Sequence, residues 1–337
     1  MSRRPSPIDH DATVQQIASL LGVRGKVDLE RAICGAAEDR VRTYMQRHDI
    51  VPETVEDVHG VVLNMTGVDL FHITDDRSLD DAMTSVGRVN RLWPAQLERE
   101  FATTTEAFVL RRDDSDLLGP RFTAFVDARE GRSQRAWFSS RHEPAHLLIK
   151  DPSANGIWRR TSMERPEPVE RVVDAVASRI GFWADISLPV VRAAFTQGDL
   201  LEAFEIAHKI IAPTASFEAS LRAFLDMIPE PLLAVRSDMA ARKADLRALR
   251  LGTMFDLRAV VAIQNQAARA AGVNIWQNFR IPKSSVIFEA YHRLDRECTW
   301  TATERLGDWT ESGGSRLRDV DVEVWTRGVW SILRVKG

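Results

Sequence analysis

Residues 141–149 read RHEPAHLLI, and the reading of that run decides what the chain around it is for. Two histidines stand four apart, with a glutamate directly after the first and three aliphatic residues after the second. On an α-helix, residues i and i+4 differ by about 40° in direction, so His142 and His146 leave the same face. Two imidazoles so placed can share one tetrahedral Zn2+, which needs a third protein ligand and keeps a position open for water. Glu143 then lies beside the ion, where a carboxylate can take a proton from that water. Two plainer readings compete. With eight histidines in the chain, an accidental H-E-x-x-H arises in roughly one such sequence in a hundred. Ser140-x-x-Glu143 is also a capping-box pattern, which would have Glu143 closing a helix start. Pro144 adds a constraint. Inside a helix it removes the hydrogen bond to the Ser140 carbonyl at a cost of about 3 kcal/mol. That cost nearly vanishes if the helix begins at Ser140 or Arg141.

Outward from the motif, residues 121–152 read as a short apolar strand, a polar turn holding Gly131, and a helix ended by Pro152. Residues 163–183 read as a second helix, with Pro166 and Pro168 in its opening turn and a buried stripe of Val169, Val172, Val173, Val176 and Ile180. That helix carries Glu170 and Asp174 at i and i+4. Glu170 falls at the edge of the stripe near Ala177, with Asp174 further toward solvent. A carboxylate bordering a buried face can complete a His2Glu site; an acidic residue favoured by the helix dipole is the competing reading.

The rest of the chain frames these two helices. Residues 11–48 show helical period through Val14, Ile17, Leu20 and Leu21, then Ile33, Val41 and Tyr44. Residues 48–73 pass from a Pro-Glu-Thr helix start to a β-rich end, and 78–112 are mixed. SLPVVRAAFTQGDLLEAFEIAHKII and SFEASLRAFLDMI each predict a helix, the second capped by Ser216. After a proline- and charge-rich boundary at 229–250, SSVIFEAYHR, ECTWTATERL and VDVEVWTRGVWSILRVK read as strands, with ESGGS (311–315) a turn. The expectation is an α+β protein in three parts: a helical N-terminal region (1–95), a segment bearing the motif and a following helical pair (96–230), and a C-terminal α/β domain (231–337).

Composition excludes several classes. The chain has 337 residues, 44% apolar and 28% charged, with 45 basic against 48 acidic side chains and a net charge of −3. That balance gives no overall reason to bind nucleic acid or an anionic membrane, although 236–250 is locally basic. Two distant cysteines, Cys34 and Cys298, make no disulfide framework. The N-terminal residues have no apolar stretch behind them, and no apolar run approaches about 20 residues. The expected location is the cytoplasm, with no membrane partner. No phosphate-binding glycine loop is present, which weighs against an NTPase. His59, His72, His208 and His292 read as isolated or core-edge histidines. RRDDSD (111–116) lacks the spacing of a calcium loop. Trp158, Trp183, Trp276 and Trp300 either pack in the core or line a peptide groove.

RAWFSSRHEPAHLLI followed by VERVVDAVASRIGFWADISLPVVRAAF resembles the ImmA/IrrE metallopeptidases over roughly residues 100–230. On that resemblance His142, Glu143 and His146 fall on the family's zinc-binding helix, Glu170 on its third ligand, and Asp174 on a supporting Asn/Asp. The resemblance implies a mainly helical, zincin-like core with a small sheet. It implies a Zn2+-dependent endopeptidase with Glu143 as catalytic base, cleaving a helix-turn-helix repressor in stress or mobile-element regulation, with no direct contact to nucleic acid. By analogy with relatives, the C-terminal domain would be sensor-like. The chain departs from the pattern at Pro144-Ala145, where the family has Leu-Gly, and at IGFW (180–183), where it has LLMP. Those departures keep a second expectation open: a catalytically silent relative that binds a partner protein or an effector. A DNA-binding protein using 200–250 is a third, opposed by the near-neutral charge.

Overall fold

The computed structural model describes residues 7–87, 95, 98, 99, 101, 105–111, 122–129, 131–150, 158–161, 167–196, 198–241, 255–293, 297–309 and 317–336. The mixed α+β class expected from the sequence is what forms. The chain divides into two units, Met1–Ile186 with Ala212–Ser216, and Ser187–Ile211 with Phe217–Gly337. The N-terminal helices and the H-E-x-x-H segment share the first unit. Pro152, Pro166, ESGGS and all of RRDDSD beyond Arg111 lie outside the described residues.

The first unit opens with three helices, α1 (Ala12–Leu20), α2 (Leu29–Arg47) and α3 (Val55–Thr66). Asp11 and Asp28 cap the first two. Thr54 and Asp57 form a capping box on the third, and Gly67 (φ 66°) ends it in the left-handed conformation. Strand β1 (Val68–Ile73) and helix α4 (Asp76–Gly87) follow. With β2 (Thr105–Arg111), β3 (Phe122–Asp127) and β4 (Trp158–Thr161), β1 builds a four-stranded sheet of order β1-β3-β2-β4. The β1–β3 pair is parallel; β3–β2 and β2–β4 are antiparallel.

Strand alternation sorts this sheet into two faces. Phe108, Leu110 and Phe125 join Ile73, Ala82 and Phe101 in one apolar cluster. The other face carries Ala107, Val109, Ala124 and Val126, and there Ala136 and Leu147 of helix α5 (Ser133–Leu148) pack. Small residues let α5 lie close, which is why one side of this helix is an apolar anchor and the other can carry chemistry. Helix α6 (Pro168–Gly181) packs on α5. Its expected stripe is buried as read: Val172 and Val173 at 0%, Val176 at 1%, Ile180 at 2% and Val169 at 7% exposure. The two helices close on each other at Gly181, where an added Cβ would stand 2.8 Å from Trp137 Cη2 and 2.9 Å from Arg141 Cδ.

Helix α7 (Ala184–Phe195) leads out of the first unit. The single helix expected across SLPVVRAAFTQGDLLEAFEIAHKII is corrected to two, α7 and α8 (Leu200–Ile211). Gly198 takes φ 89°, and Asp199 Oδ1 accepts from the N–H groups of Leu201 and Glu202, starting a new helix. Helix α9 (Phe217–Met227) begins directly after Ser216. The second unit then forms a five-stranded, wholly antiparallel sheet of order β6-β5-β9-β8-β7. Its strands are β5 (Leu232–Ala241), β6 (Phe255–Gln264), β7 (Trp300–Arg305), β8 (Asp321–Arg327) and β9 (Trp330–Val335). Buried Asn265 caps the short helix α10 (Gln266–Ala270) by accepting from Ala268 N–H. Its amide donates to the carbonyls of Leu225, Ile228 and Glu230. SSVIFEAYHR, read as a strand, is corrected to helix α11 (Val286–His292). Its β-branched start is overridden because Ser285 Oγ accepts from Ile287 N–H and Glu304 Oε1 from Val286 N–H.

Gly181→Ala is expected to destabilise the first unit by about 1–3 kcal/mol, because overpacking against a ring outweighs the gain in helix propensity of about 1 kcal/mol. Urea unfolding of the variant checks this; equal or greater stability would show that Trp137 and Arg141 yield freely.

Candidate metal centre

Helix α5 runs unbroken from Ser133 to Leu148, with Pro144 inside it. Of the two alternatives open at Pro144, the helix start at Ser140 or Arg141 is not what forms: the apolar anchor on the sheet, Ala136 included, extends the helix upstream of the motif. The capping-box reading of Ser140 and Glu143 falls with it. Ser140 is interior, and its hydroxyl donates to the Trp137 carbonyl at 2.8 Å.

The helix also inverts the usual rule of burial. Ser139, Ser140, Arg141, His142, Glu143 and His146 are all buried, each at 4% exposure or less. Buried polar groups cost free energy unless partnered, and the partners are specific. Arg141 lies over the Trp137 ring at 3.8 Å and donates to Glu56 of α3, whose Oε1 also accepts from Trp137 Nε1 at 3.2 Å. Burial brings Arg141 down to about 10, still a cation at neutral pH. The Ser140 carbonyl would ordinarily accept the N–H of residue 144, which proline lacks. His59 Nε2, reaching across from α3, donates to it at 3.0 Å.

Three of the predicted ligands converge. His142 Nε2 and His146 Nε2 stand 3.2 Å apart. His142 Nε2 lies 3.1 Å from Glu170 Oε2, and His146 Nε2 lies 3.6 Å from Glu170 Oε1. A tetrahedron with metal–ligand bonds of about 2.05 Å has ligand–ligand edges of about 3.3 Å, so these separations suit one small cation. Among the described residues, His142, His146 and Glu170 form a cluster that could hold a metal ion. Asp174 is the fourth group drawn in, and its expected place further toward solvent is corrected: its side chain and that of Glu170 are equally exposed, at 36%. Asp174 Oδ1 accepts from His142 Nδ1 at 2.8 Å. A carboxylate cannot donate, so Nδ1 carries a proton toward Asp174, and Nε2 is the ring nitrogen that faces the cluster. Glu143 lies on the same helix one residue on from His142, at 1% exposure.

The remaining candidates take structural places. His208 pairs with Ser220 at 2.8 Å, and His292 Nδ1 lies 2.9 Å from the carbonyl of Phe288 in its own helix. Trp183 is a core residue at 1% exposure, whereas Trp276 is 37% exposed. Burial pushes the Cys34 thiol up to about 12, which leaves it inert. Sequence reading named neither Glu56 nor His59 as part of the centre, although Pro144 had already marked the Ser140 carbonyl as needing a donor.

Asp174→Ala is expected to weaken any zinc binding at this cluster by about 10–100-fold, since the partner that fixes the orientation of the His142 ring is lost. Competition titration against a chromophoric chelator measures it, and an unchanged affinity would deny Asp174 that role. His59 gives a pH prediction. Burial first, then the Arg141 cation, lowers it to about 4, against the bond to the Ser140 carbonyl and the Glu56 carboxylate, which raise it. In the fold it resists protonation that the unfolded chain accepts below its ordinary value of 6.5. Its stability contribution is therefore intact above that value and lost as pH falls toward 4. Relative to His59→Gln, the unaltered protein should lose about 2 kcal/mol more between pH 7 and pH 5; parallel profiles in denaturant titrations would refute this.

No model of a known protein family matches the chain, and no curated protein matches it.

Proposed function

We propose that the protein is a zinc-dependent endopeptidase whose first unit is a zincin-like core. The observation that carries this reading is the spacing of His142 Nε2, His146 Nε2 and the Glu170 carboxylate, 3.1 to 3.6 Å. Those values suit tetrahedral coordination with one position left for water. The donor set, two imidazoles and a carboxylate, is that of a catalytic zinc rather than a closed structural site. Bound there, Zn2+ supplies Lewis acidity, making water a better nucleophile and a peptide carbonyl a better electrophile. The chain's own residues do the rest. Asp174 holds the His142 ring by its Nδ1–H so that Nε2 is the atom turned to the ion. Glu143 takes the proton of the attacking water and delivers it to the leaving amine. The substrate we favour is a helix-turn-helix repressor, on the resemblance to ImmA/IrrE metallopeptidases, and the second unit is the candidate for a sensor of the activating signal.

A second reading is favoured by one observation, the burial of Glu143 at 1% exposure. A base sealed from solvent suits a regulator that keeps the metal and binds a partner without cutting it. The two readings separate in one experiment. Purified protein should carry about one zinc per chain, lost in His142→Ala. Incubated with a candidate repressor, it should cut in a chelator-sensitive manner, whereas Glu143→Gln should retain zinc and cut at least about 100-fold more slowly. Zinc without cleavage of any repressor tried selects the regulator, and a Glu143→Gln variant that still cuts removes the assigned base.

A further inference from the structure

We propose that His59 is a positioning residue for the metal centre, bracing helix α5 at the Ser140 carbonyl that Pro144 leaves without its backbone donor. The proposal rests on the metal reading of His142, His146 and Glu170.

Pro144 stands between the two histidine ligands. A proline inside a helix removes one rung of the hydrogen-bond ladder and crowds the carbonyl four residues back, and helices bend at such points. A bend between residues 142 and 146 would rotate one imidazole-bearing turn against the other. It would therefore change the 3.2 Å separation of their Nε2 atoms. The carbonyl at issue belongs to Ser140, two residues before the first ligand, and it is a buried acceptor that costs free energy if left without a donor.

His59 supplies that donor from a second helix. Its Nε2 lies 3.0 Å from Ser140 O, and the residue is 6% exposed, so water does not compete freely for the bond. The depressed affinity of His59 for protons keeps the ring neutral at neutral pH, and an acceptor on the carbonyl side requires the N–H on Nε2. Helix α3 is itself fixed in place. Its start is locked by the Thr54–Asp57 capping box, and Glu56, three residues before His59, accepts from both Trp137 and Arg141 of α5. Thus α3 grips α5 at residues 137, 140 and 141, immediately ahead of the ligands. Proline and histidine are one device: the first vacates the carbonyl, the second claims it.

The test is a double-mutant cycle with Co2+ as the probe, its visible absorption reporting tetrahedral binding. His59→Leu should weaken Co2+ about tenfold when Pro144 is present. In the Pro144→Ala background, where the backbone donor to Ser140 returns, the same change should cost less than about twofold. His59→Gln, which keeps an N–H, should bind within about threefold of the unaltered protein. Urea unfolding of all four chains of the cycle in excess chelator reads the same coupling without metal. An equal loss from His59→Leu in both backgrounds would overturn the proposal, as would a His59→Gln variant as weak as His59→Leu. Failure of the metal reading looks different: Co2+ absorption would be absent from the unaltered chain, or would survive His142→Ala, whatever the cycle in chelator shows.

Discussion

Three electron-rich groups, two imidazole nitrogens and the Glu170 carboxylate, meet at contacts of 3.1 to 3.6 Å between two packed helices. Because Asp174 accepts a hydrogen bond from His142 Nδ1–H, the Nε2 of that ring faces a second imidazole nitrogen and a carboxylate. Lone pairs at such distances repel unless a positive charge lies between them. A single proton can serve one pair of these atoms, whereas a divalent cation serves all three. The cluster could hold one cation, and much of the first unit keeps its three groups in place.

Those means are physical and separable. Alanine and valine on one face of the four-stranded sheet let α5 sit close, and Gly181 lets α6 come within contact of Trp137 and Arg141. The polar stretch of α5 is then buried, and each of its costly groups is given a partner: Arg141 by Glu56 and Trp137, the Ser140 carbonyl by His59, His142 by Asp174. A helix that buries six polar side chains in eight positions, from 139 to 146, departs from amphipathic design. Such departures gather at functional sites, where surrounding structure sustains an arrangement that packing alone would not choose.

Much of this was legible in the residues. Helical spacing placed His142 with His146 and put Glu170 beside a valine stripe that is buried as read, because periodicity depends on local geometry alone. The α+β class followed from the same patterns. Other features were not legible. SSVIFEAYHR reads as a strand by its valine, isoleucine and aromatic residues, yet Ser285 and the distant Glu304 cap it as a helix. No local pattern contains Glu304. Local reasoning at Pro144 left open either a kinked helix or a shorter one, and neither contains the donor from His59, 81 residues away in sequence. Asp174 was placed toward solvent by helical angle, whereas attraction to His142 turns it inward. What sequence withheld is what tertiary structure supplies: the second partner of each polar group.

X-ray absorption at the zinc edge of protein purified with its native metal tests the central claim most directly. The account predicts a first shell of nitrogen and oxygen only, about four atoms at about 2.0–2.1 Å, two of them imidazoles with their characteristic outer-shell scattering. A shell containing sulfur at about 2.3 Å, or a spectrum unaltered when Glu170 and His146 are both replaced by alanine, would contradict it.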